Sequence, residues 1–317
     1  MAKEQSHSIR EMITKERLVS DLVGLGVRRG DLLNVKVSLK SIGYIDGGAE
    51  TLIDALMEAV GPEGTIVTES FVYMYPLPLS KWDAEKISDH STPSYAGALA
   101  NAMIKYPGAH RSQHPVQKFS AVGALAQELT QGHTADSYAY DVLRIMAENS
   151  GRNLKLGTDE KVVGVGTTHV AIGSLGFRQR LPRTGVNYLS EEGEIVTFER
   201  NWAGICAKGL INFIPLYRDA GAILFEGKVG EAESKITDMK STLEVERQKL
   251  SQDPTFFFCN DPACEGCRLT WEFSNGSKPH VFYHALRKEP KRFLKKRQLE
   301  LISLVRGGRV QKAWYPS

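Results

Sequence analysis

The chain has 317 residues, of which 42% are hydrophobic and 24% are charged. This length and composition allow a large core in one domain or in two smaller ones, and they exclude disordered and collagen-like chains. No apolar run reaches the roughly 18 residues that a membrane span needs, and the N-terminal stretch is polar with mixed charge. We therefore expect a cytoplasmic protein without a signal peptide or a membrane segment.

The spacing of apolar residues predicts the main elements. It indicates helices over 15–27, 49–61, within 92–107, over 124–129 and 140–148, and strands over 31–37, 64–71 and 161–166. Residues 117–123 are a short strand or a turn. Mixed strands follow beyond 181, with a long polar helix around 232–250. The first strand, loop, helix and strand form a βαβ unit, which is typical of the α/β class.

The charge is divided between two parts of the chain. Residues 268–317 carry twelve Lys/Arg against three Asp/Glu, a net +9, whereas the rest has 28 basic and 34 acidic residues, a net −6. We expect an α/β body over 1–267 and a basic C-terminal extension over 268–317. The extension is either a solvated surface helix or a contact for phosphate or a partner.

A glycine-rich loop follows the first predicted strand. It contains Ser38, Gly43, Gly47 and Gly48 ahead of a helix, an arrangement in which backbone N–H groups can bind an anion. The loop has no Gly-Lys-Ser/Thr sequence, so it is not a P-loop. An ordinary glycine-rich connection is the alternative.

The stretch HRSQHPVQKFSAVG holds a second group of polar residues. Arg111 can bind a phosphate or carboxylate with two parallel hydrogen bonds. His114 precedes a proline and is therefore held in an extended conformation. Loops often present functional groups, although a single His-Pro pair is more often structural.

The stretch KVVGVGTTHVA begins as a dinucleotide-binding turn does, but His169 stands where the third glycine would be. If a helix starts at Thr167 or Thr168, that threonine caps it and His169 lies in its first turn. A helix N-terminus disfavours imidazolium, so the ring would be neutral and basic near pH 7, which suits a general base. A histidine with a purely structural role in the core is the alternative.

Three cysteines lie close together near the end of the body. Cys259, Cys264 and Cys267 have a spacing compatible with zinc, and the fourth ligand would be His280, His284 or the distant Cys206. Structural zinc usually takes two clear ligand pairs, which this stretch lacks. We therefore favour buried free thiols over a zinc site.

Six stretches form an ordered set along most of the chain: VKVSLKSIGYIDGG, AVGPEGTIV, RSQHP with Ala121 and Gly123, TTHVA, GKVGEAESK and LSQDPTFFFC. In order and spacing this set resembles the aminoglycoside 3-N-acetyltransferase family. Lys36 stands where the family has a histidine. The resemblance implies a central mixed sheet flanked by helices, with acceptor-side insertions roughly over 175–230.

The resemblance also implies a CoA thioester as donor, an amino sugar as acceptor, and direct transfer without an acyl-enzyme. The donor would be acetyl-CoA or another acyl-CoA. His169 would deprotonate the acceptor ammonium, and Thr168 would stabilise the developing oxyanion. The residues implied for CoA binding are Lys36, Val37, Ser38, Leu39, Gly43, Gly47, Gly48, Arg111, Ser112, Ser120 and Ala121.

The chain departs from the family pattern next to the proposed base. Ile172 stands where the family has a glutamate, so another carboxylate must orient His169. The candidates are Glu69, Asp159 and Glu160. Glu69 lies at a strand end, in Glu-Ser-Phe where the family has Pro-Thr-Phe, and we take it as a third catalytic residue.

The missing glutamate and the divided charge favour a nucleotide-linked amino sugar as the acceptor. Its diphosphate would meet Arg178, Arg180, Arg183 or the basic extension. The alternative acceptor is an aminoglycoside antibiotic, a polycation that needs an acidic cleft.

Two readings of other kinds remain. One is an acyltransferase that forms a covalent acyl-enzyme on Cys206. The other is a metal-stabilised protein that binds nucleic acid through the extension, which is disfavoured because no base-reading motif is present. We expect no nucleic-acid or membrane partner, and a homodimer is possible.

Overall fold

The computed structural model describes residues 12–159, 164–202, 204–305 and 310–313. Its helices are α1 (Lys15–Leu25), α2 (Leu39–Ile42), α3 (Gly48–Val60), α4 (Lys81–Ala84), α5 (Ala98–Lys105), α6 (Ala126–Gln131), α7 (Asp141–Glu148), α8 (Thr167–Ser174), α9 (Phe213–Asp219), α10 (Met239–Gln252), α11 (Glu265–Arg268), α12 (Lys278–Lys288) and α13 (Pro290–Val305), with a 3-10 helix over Ala207–Asn212.

The strands follow the same order. They are β1 (Met12–Ile13), β2 (Leu32–Val37), β3 (Tyr44–Ile45), β4 (Thr65–Glu69), β5 (Tyr75–Pro76), β6 (Ile87–Ser88), β7 (His110–Arg111), β8 (Phe119–Gly123), β9 (Arg152–Leu156), β10 (Gln179–Pro182), β11 (Thr184–Leu189), β12 (Ile195–Glu199), β13 (Ile223–Val229), β14 (Ala232–Asp238) and β15 (Val310–Ala313).

A seven-stranded mixed sheet forms the centre of the body, in the order β13-β14-β9-β2-β4-β8-β7. The three central strands, β9, β2 and β4, are parallel, and the outer strands pair antiparallel. This architecture confirms the predicted α/β class with a central mixed sheet. A smaller four-stranded sheet joins β12, β11, β5 and β6.

Helices cover both faces of the central sheet. On one face α1, α3 and α5 contribute residues such as Leu22, Leu56 and Met103 to a core. On the other face α7, α8, α9 and α10 surround a second core that includes Leu143 and Phe213. The two cores hold the carboxyl ends of β2 and β4 in fixed positions, because these strands are buried on both faces.

The predicted helix around 232–250 is wrong at its start. Residues Ala232–Asp238 form β14, whose alternating burial fits a strand between β13 and β9. Asp238 then caps α10, its side chain accepting a hydrogen bond from the Ser241 backbone N–H. The sequence pattern did not show where the strand ends and the helix begins, because the exposed residues of β14 are as polar as those of α10.

Three other predictions concern the strand over 161–166, the basic extension and membrane spans. Residues 161–163 of the predicted strand over 161–166 lie outside the described residues. The basic extension begins with two helices, α12 and α13, and β15 pairs with β10. Within the described ranges, no helix has the length and apolar character needed to cross a membrane.

Candidate active site

Three elements meet where the parallel strands of the sheet end. Lys36 lies near the end of β2, Glu69 is the last residue of β4, and α8 begins above them at Thr167. Lys36 Nζ lies 2.8 Å from Glu69 Oε1. In open α/β sheets, ligands bind beyond the carboxyl ends of the strands, so this is the expected place for a site.

The glycine-containing turn before α8 brings that helix close to Glu69. Gly166 has φ +85°, and a Cβ there would lie 2.7 Å from Leu143 Cδ1 and 3.2 Å from Glu69 Oε1. Only glycine combines this backbone conformation with this close approach. Asn34 of β2 holds the turn from below, donating through Nδ2 to the Val165 carbonyl oxygen.

His169 lies in the first turn of α8, as the sequence predicts. Its ring stacks on Tyr140 with centroids 4.0 Å apart, and its carbonyl oxygen accepts a hydrogen bond from the Tyr138 hydroxyl. Its Nδ1 atom is buried and has no hydrogen-bond partner among the described residues. A buried polar atom of this kind requires an explanation, and a bound substrate is one.

Burial lowers the pKa of His169 and, together with the positive charges of Lys36 and Arg200, brings it to about 3. The imidazole is therefore neutral at pH 7. The position at a helix N-terminus predicted a ring that is neutral and basic near pH 7. The larger downward shift has a different cause, because burial and two cations act on the ring together.

A cavity of about 330 Å³ opens beside the ion pair of Lys36 and Glu69. Its wall contains four of the residues implied for CoA binding and the start of α5: Val35, Lys36, Val37, Ser38, Leu39, Lys40, Thr68, Glu69, Ala96, Ala98, Leu99 and Ala100. The two lysines and the amino end of α5 make this wall suitable for an anionic ligand.

A carboxylate that the sequence analysis missed lies against α8. Glu246 of α10 is fully buried, and its Oε1 accepts hydrogen bonds from the Thr168 and Tyr217 hydroxyls. Burial raises the pKa of Glu246 to about 7, although these hydrogen bonds oppose the shift. A signal was present in the sequence, because Glu246 shares the apolar face of α10 with Met239, Leu243 and Leu250.

Residues 35–251 match the family model described as aminoglycoside 3-N-acetyltransferase. The chain belongs to the aminoglycoside 3-N-acetyltransferase family. The matched range contains β4, α8, the end of β2 with Lys36, and all of α10 except its last residue.

Three similar proteins illustrate the relationship. Aminoglycoside N(3)-acetyltransferase III from a Salmonella species is 40% identical over 134 residues, which cover 38% of this chain and 47% of the relative. The chain thus spans about half the length of the curated relatives it matches. Among solved structures, AAC-VIa bound to sisomicin has a TM-score of 0.65 at 27% identity, covering 76% of this chain and 98% of that one. AAC-IIIb in a binary complex with CoASH has a TM-score of 0.65 at 23% identity, covering 76% and 97%.

For a member of the aminoglycoside 3-N-acetyltransferase family, the missing glutamate has a physical consequence. Ile172 is fully buried in the core beneath α8. Asp159, one candidate replacement, instead forms ion pairs with Lys155 and Lys235. Glu160 lies outside the described residues, and Glu69 lies near the N-terminus of α8 but pairs with Lys36.

The predicted role of Thr168 as an oxyanion donor needs correction. Thr168 is fully buried, and its hydroxyl donates to Glu246. A hydroxyl has one proton to donate, so this contact leaves none for an oxyanion. Thr168 instead ties the first turn of α8 to α10.

Arg111 also has a structural role instead of the implied contact with CoA. Its guanidinium is buried and donates to the backbone carbonyl oxygens of Ser70, His90 and Thr92. The implied neighbours are equally enclosed, because Ser112, Ser120 and Ala121 are all at most 1% exposed. These residues pack behind the end of β4 and so support the strand that carries Glu69.

The three loop glycines are explained by the turns that they make. Gly43, Gly47 and Gly48 all have φ between +66° and +118°. A Cβ on Gly47 would lie 2.3 Å from Thr51 Oγ1, and one on Gly43 would lie 2.8 Å from Ile13 Cδ1. These glycines therefore shape the loop between the cavity and α3.

Proposed function

We propose that the protein is a CoA-dependent N-acetyltransferase that transfers an acetyl group to an amine of an aminoglycoside, with His169 as the general base. The observation that carries the proposal is the neutral imidazole of His169, whose buried Nδ1 lacks a partner among the described residues. It stands at a helix N-terminus beside the carboxyl ends of β2 and β4, in a chain of this family.

The donor would occupy the cavity lined by Lys36 and Lys40. A CoA phosphate or diphosphate is complementary to these ammonium groups and to the free N–H groups at the start of α5. AAC-IIIb, which shares the fold, is known as a complex with CoASH. Acetyl-CoA supplies the acyl group as a thioester.

The acceptor ammonium loses two protons in the reaction, one before the new bond forms and one as it forms. His169 takes a proton from the acceptor ammonium, and the free amine then attacks the thioester carbon. As the C–N bond forms, the C–S bond breaks, and the second amine proton reaches the sulfur, giving an amide and CoASH. The neutral imidazole can act in the first step because it accepts a proton without first losing one, although its pKa of about 3 makes it a weak base.

Carboxylates near this end of the body suit a polycationic acceptor. A cavity of about 220 Å³ is lined by Asp136, Glu191 and Glu192. Tyr138, two residues after Asp136, donates to the His169 carbonyl oxygen. AAC-VIa, a structural neighbour, binds sisomicin. Aminoglycosides carry several ammonium groups, which such carboxylates attract.

The divided charge suggests a nucleotide-linked amino sugar as the acceptor. The contacts that basic residues make in the fold do not favour it. Arg183 forms an ion pair with Glu199. In the extension, Lys288 pairs with Asp261, and Lys296 pairs with Glu265. These cations hold parts of the protein together and are not gathered around His169.

An acceptor panel tests the proposal. Purified protein is incubated with acetyl-CoA and either sisomicin, a kanamycin-type aminoglycoside or a nucleotide-linked amino sugar, and CoASH is measured by chromatography. We expect turnover with an aminoglycoside and a product acetylated on a ring amine, located by NMR. Turnover only with the nucleotide sugar would overturn the acceptor, and no turnover with any amine would overturn the activity.

The same assay tests the role of His169. We expect His169→Gln to lower kcat/KM by about 100-fold or more while CoA binding, measured by calorimetry, persists. His110→Gln, at an exposed histidine of β7, is the matched control. Equal rates in the two variants would remove His169 from the mechanism.

A further inference from the structure

All four cysteines of the chain come together at one place in the fold, next to the 3-10 helix that Cys206 precedes. The sulfur atoms of Cys206, Cys259, Cys264 and Cys267 all lie within 4.8 Å of one another. Those of Cys259 and Cys267 are 3.8 Å apart. Zinc–thiolate bonds of about 2.3 Å in a tetrahedron place the sulfur atoms about 3.8 Å apart.

The local structure is built around this arrangement. Cys264 caps α11 and Cys267 lies within that helix. The two residues form a Cys-x-x-Cys pair that a single helical turn presents together. The Cys259 backbone N–H donates to the Cys267 sulfur at 3.4 Å. Such N–H···S contacts stabilise the negative charge of metal-bound thiolates.

Close packing brings the distant fourth cysteine to the other three. Cys206 precedes the 3-10 helix, and a Cβ on Gly209 within that helix would lie 1.8 Å from the Phe257 carbonyl oxygen. Asn212 Nδ2 donates to the carbonyl oxygens of Phe256 and Phe258. These contacts hold Cys206 against the segment that carries the other ligands.

The surroundings suit a group with negative charge. A cavity of about 300 Å³ that reaches Cys206 and Cys264 is also lined by Lys208, Lys288, Arg292 and Lys296, against three carboxylates. A zinc ion with four thiolates has a net charge of −2, which these cations help to balance. His280 and His284, the other predicted ligands, lie on α12 with rings 4.5 Å apart and outside the cluster.

We propose that Cys206, Cys259, Cys264 and Cys267 bind one structural zinc ion. A closed set of four thiolates is the donor set of structural zinc sites and leaves no open position for a substrate. The fold selects Cys206 from the three candidate fourth ligands, and this changes the earlier preference for free thiols. The site also excludes an acyl-enzyme on Cys206, because a metal-bound thiolate is not free to carry an acyl group.

The zinc would act on the active site through α9. It would hold the 3-10 helix, which runs directly into α9, and Tyr217 of α9 donates to Glu246 behind Thr168. Metal removal should therefore loosen the support of α8 as well as the cysteine segment. The expected signature is a fall in Tm on chelation that returned zinc reverses.

Metal analysis of the whole chain tests the proposal. The protein is produced without affinity histidines, dialysed against metal-free buffer and analysed by inductively coupled plasma mass spectrometry, and we expect about one zinc per chain. Cobalt substitution should give the thiolate charge-transfer and intense visible bands of a tetrahedral sulfur site. Metal-free protein with four titratable thiols and an unchanged Tm on adding zinc would overturn the proposal. Bound iron, two disulfides or a stable acetyl adduct on Cys206 would also overturn it.

Variants distinguish ligands from neighbours. Cys206→Ser should lose most of the zinc, whereas Cys206→His should keep it, because imidazole is also a zinc ligand. Asp261→Asn, in the loop between Cys259 and Cys264, is the control for a nearby carboxylate outside the cluster and should retain zinc. Full zinc content in Cys206→Ser would show that Cys206 is not a ligand.

Discussion

At the scale of single residues, Lys36 has the largest charge effect on His169. Its ammonium group lowers the pKa of the imidazole more than Arg200 does, and it also pairs with Glu69. Lys36 stands where the family has a histidine, so an ammonium group takes the place of an imidazole. It pairs with Glu69, which lies near the start of α8.

Replacing Lys36 should therefore change the pH dependence of catalysis. In Lys36→Met the positive charge is lost and Glu69 is left unpaired, and both changes raise the pKa of His169. We expect the acidic limb of the kcat/KM profile to move up by about one pH unit.

Lys40→Met is the matched control, because Lys40 lines the same cavity without acting on His169. It should weaken CoA binding and leave the position of the acidic limb unchanged. A profile of Lys36→Met that coincides with that of the parent protein would show that Lys36 does not set the basicity of His169.

At the scale of elements, α8 depends on its neighbours. It has only eight residues, and its buried face packs on α7 and α10. Helices this short are unstable alone in water, so tertiary contacts must hold α8 in place. Its first turn is held by the left-handed Gly166 and by the contact of Thr168 with Glu246.

Two glycine substitutions should separate backbone strain from close packing. Gly166→Ala places a methyl group against Leu143 and Glu69, whereas Gly176→Ala, also at positive φ, meets nothing within 4 Å. Both variants should lose about 1–2 kcal/mol from the left-handed conformation. Gly166→Ala should lose about 1–3 kcal/mol more from overpacking, and only this variant should lose activity.

Urea unfolding and the acetyl-transfer assay measure these two effects. Equal losses of stability in the two variants would show that the approach of Gly166 to Leu143 is not tight in solution.

At the scale of the whole molecule, buried histidines make stability depend on pH. Burial lowers the pKa of His114 well below its ordinary value, that of His133 to about 4 and that of His169 to about 3. The unfolded chain takes up protons at these residues below about pH 6.5, and the folded chain does not. Folding free energy is therefore lost as the pH falls below about 6.5.

Glu246 acts in the opposite sense. The folded protein keeps its proton up to about pH 7, and the unfolded chain loses it near 4.5, so this residue favours folding at the acidic end of that window. Three histidines outweigh one glutamate between pH 5 and 6.5. We therefore expect net destabilisation on acidification in this range.

His133→Asn tests this balance. Each buried neutral histidine contributes about 1.4 kcal/mol per pH unit to the slope below pH 6.5. The variant should therefore show a shallower fall in the free energy of unfolding between pH 6.5 and 5, measured in urea. His110→Asn, at an exposed histidine, should keep the parent slope, and the same slope in His133→Asn would contradict the assignment.

Local pattern was enough for the α/β class, for most helices and for the turn that carries His169. These features depend on apolar periodicity and on glycine, which act over a few neighbouring residues. The apolar pattern did not predict β14, because the exposed residues of this strand and those of the following helix are similarly polar along the sequence. It also mistook the buried Arg111 for a ligand contact, because a guanidinium that satisfies backbone carbonyls reads the same as one that binds phosphate.

The carboxylate behind Thr168 became visible only in the folded chain, and only the fold selects Cys206 from the three candidate fourth ligands. Glu246 is 78 residues from Thr168, and packing of α10 against α8 brings them together. Cys206 meets its three partners because a glycine lets the 3-10 helix approach Phe257. Contacts between residues so distant in the chain depend on how helices and strands pack in three dimensions, which spacing along a single sequence does not contain.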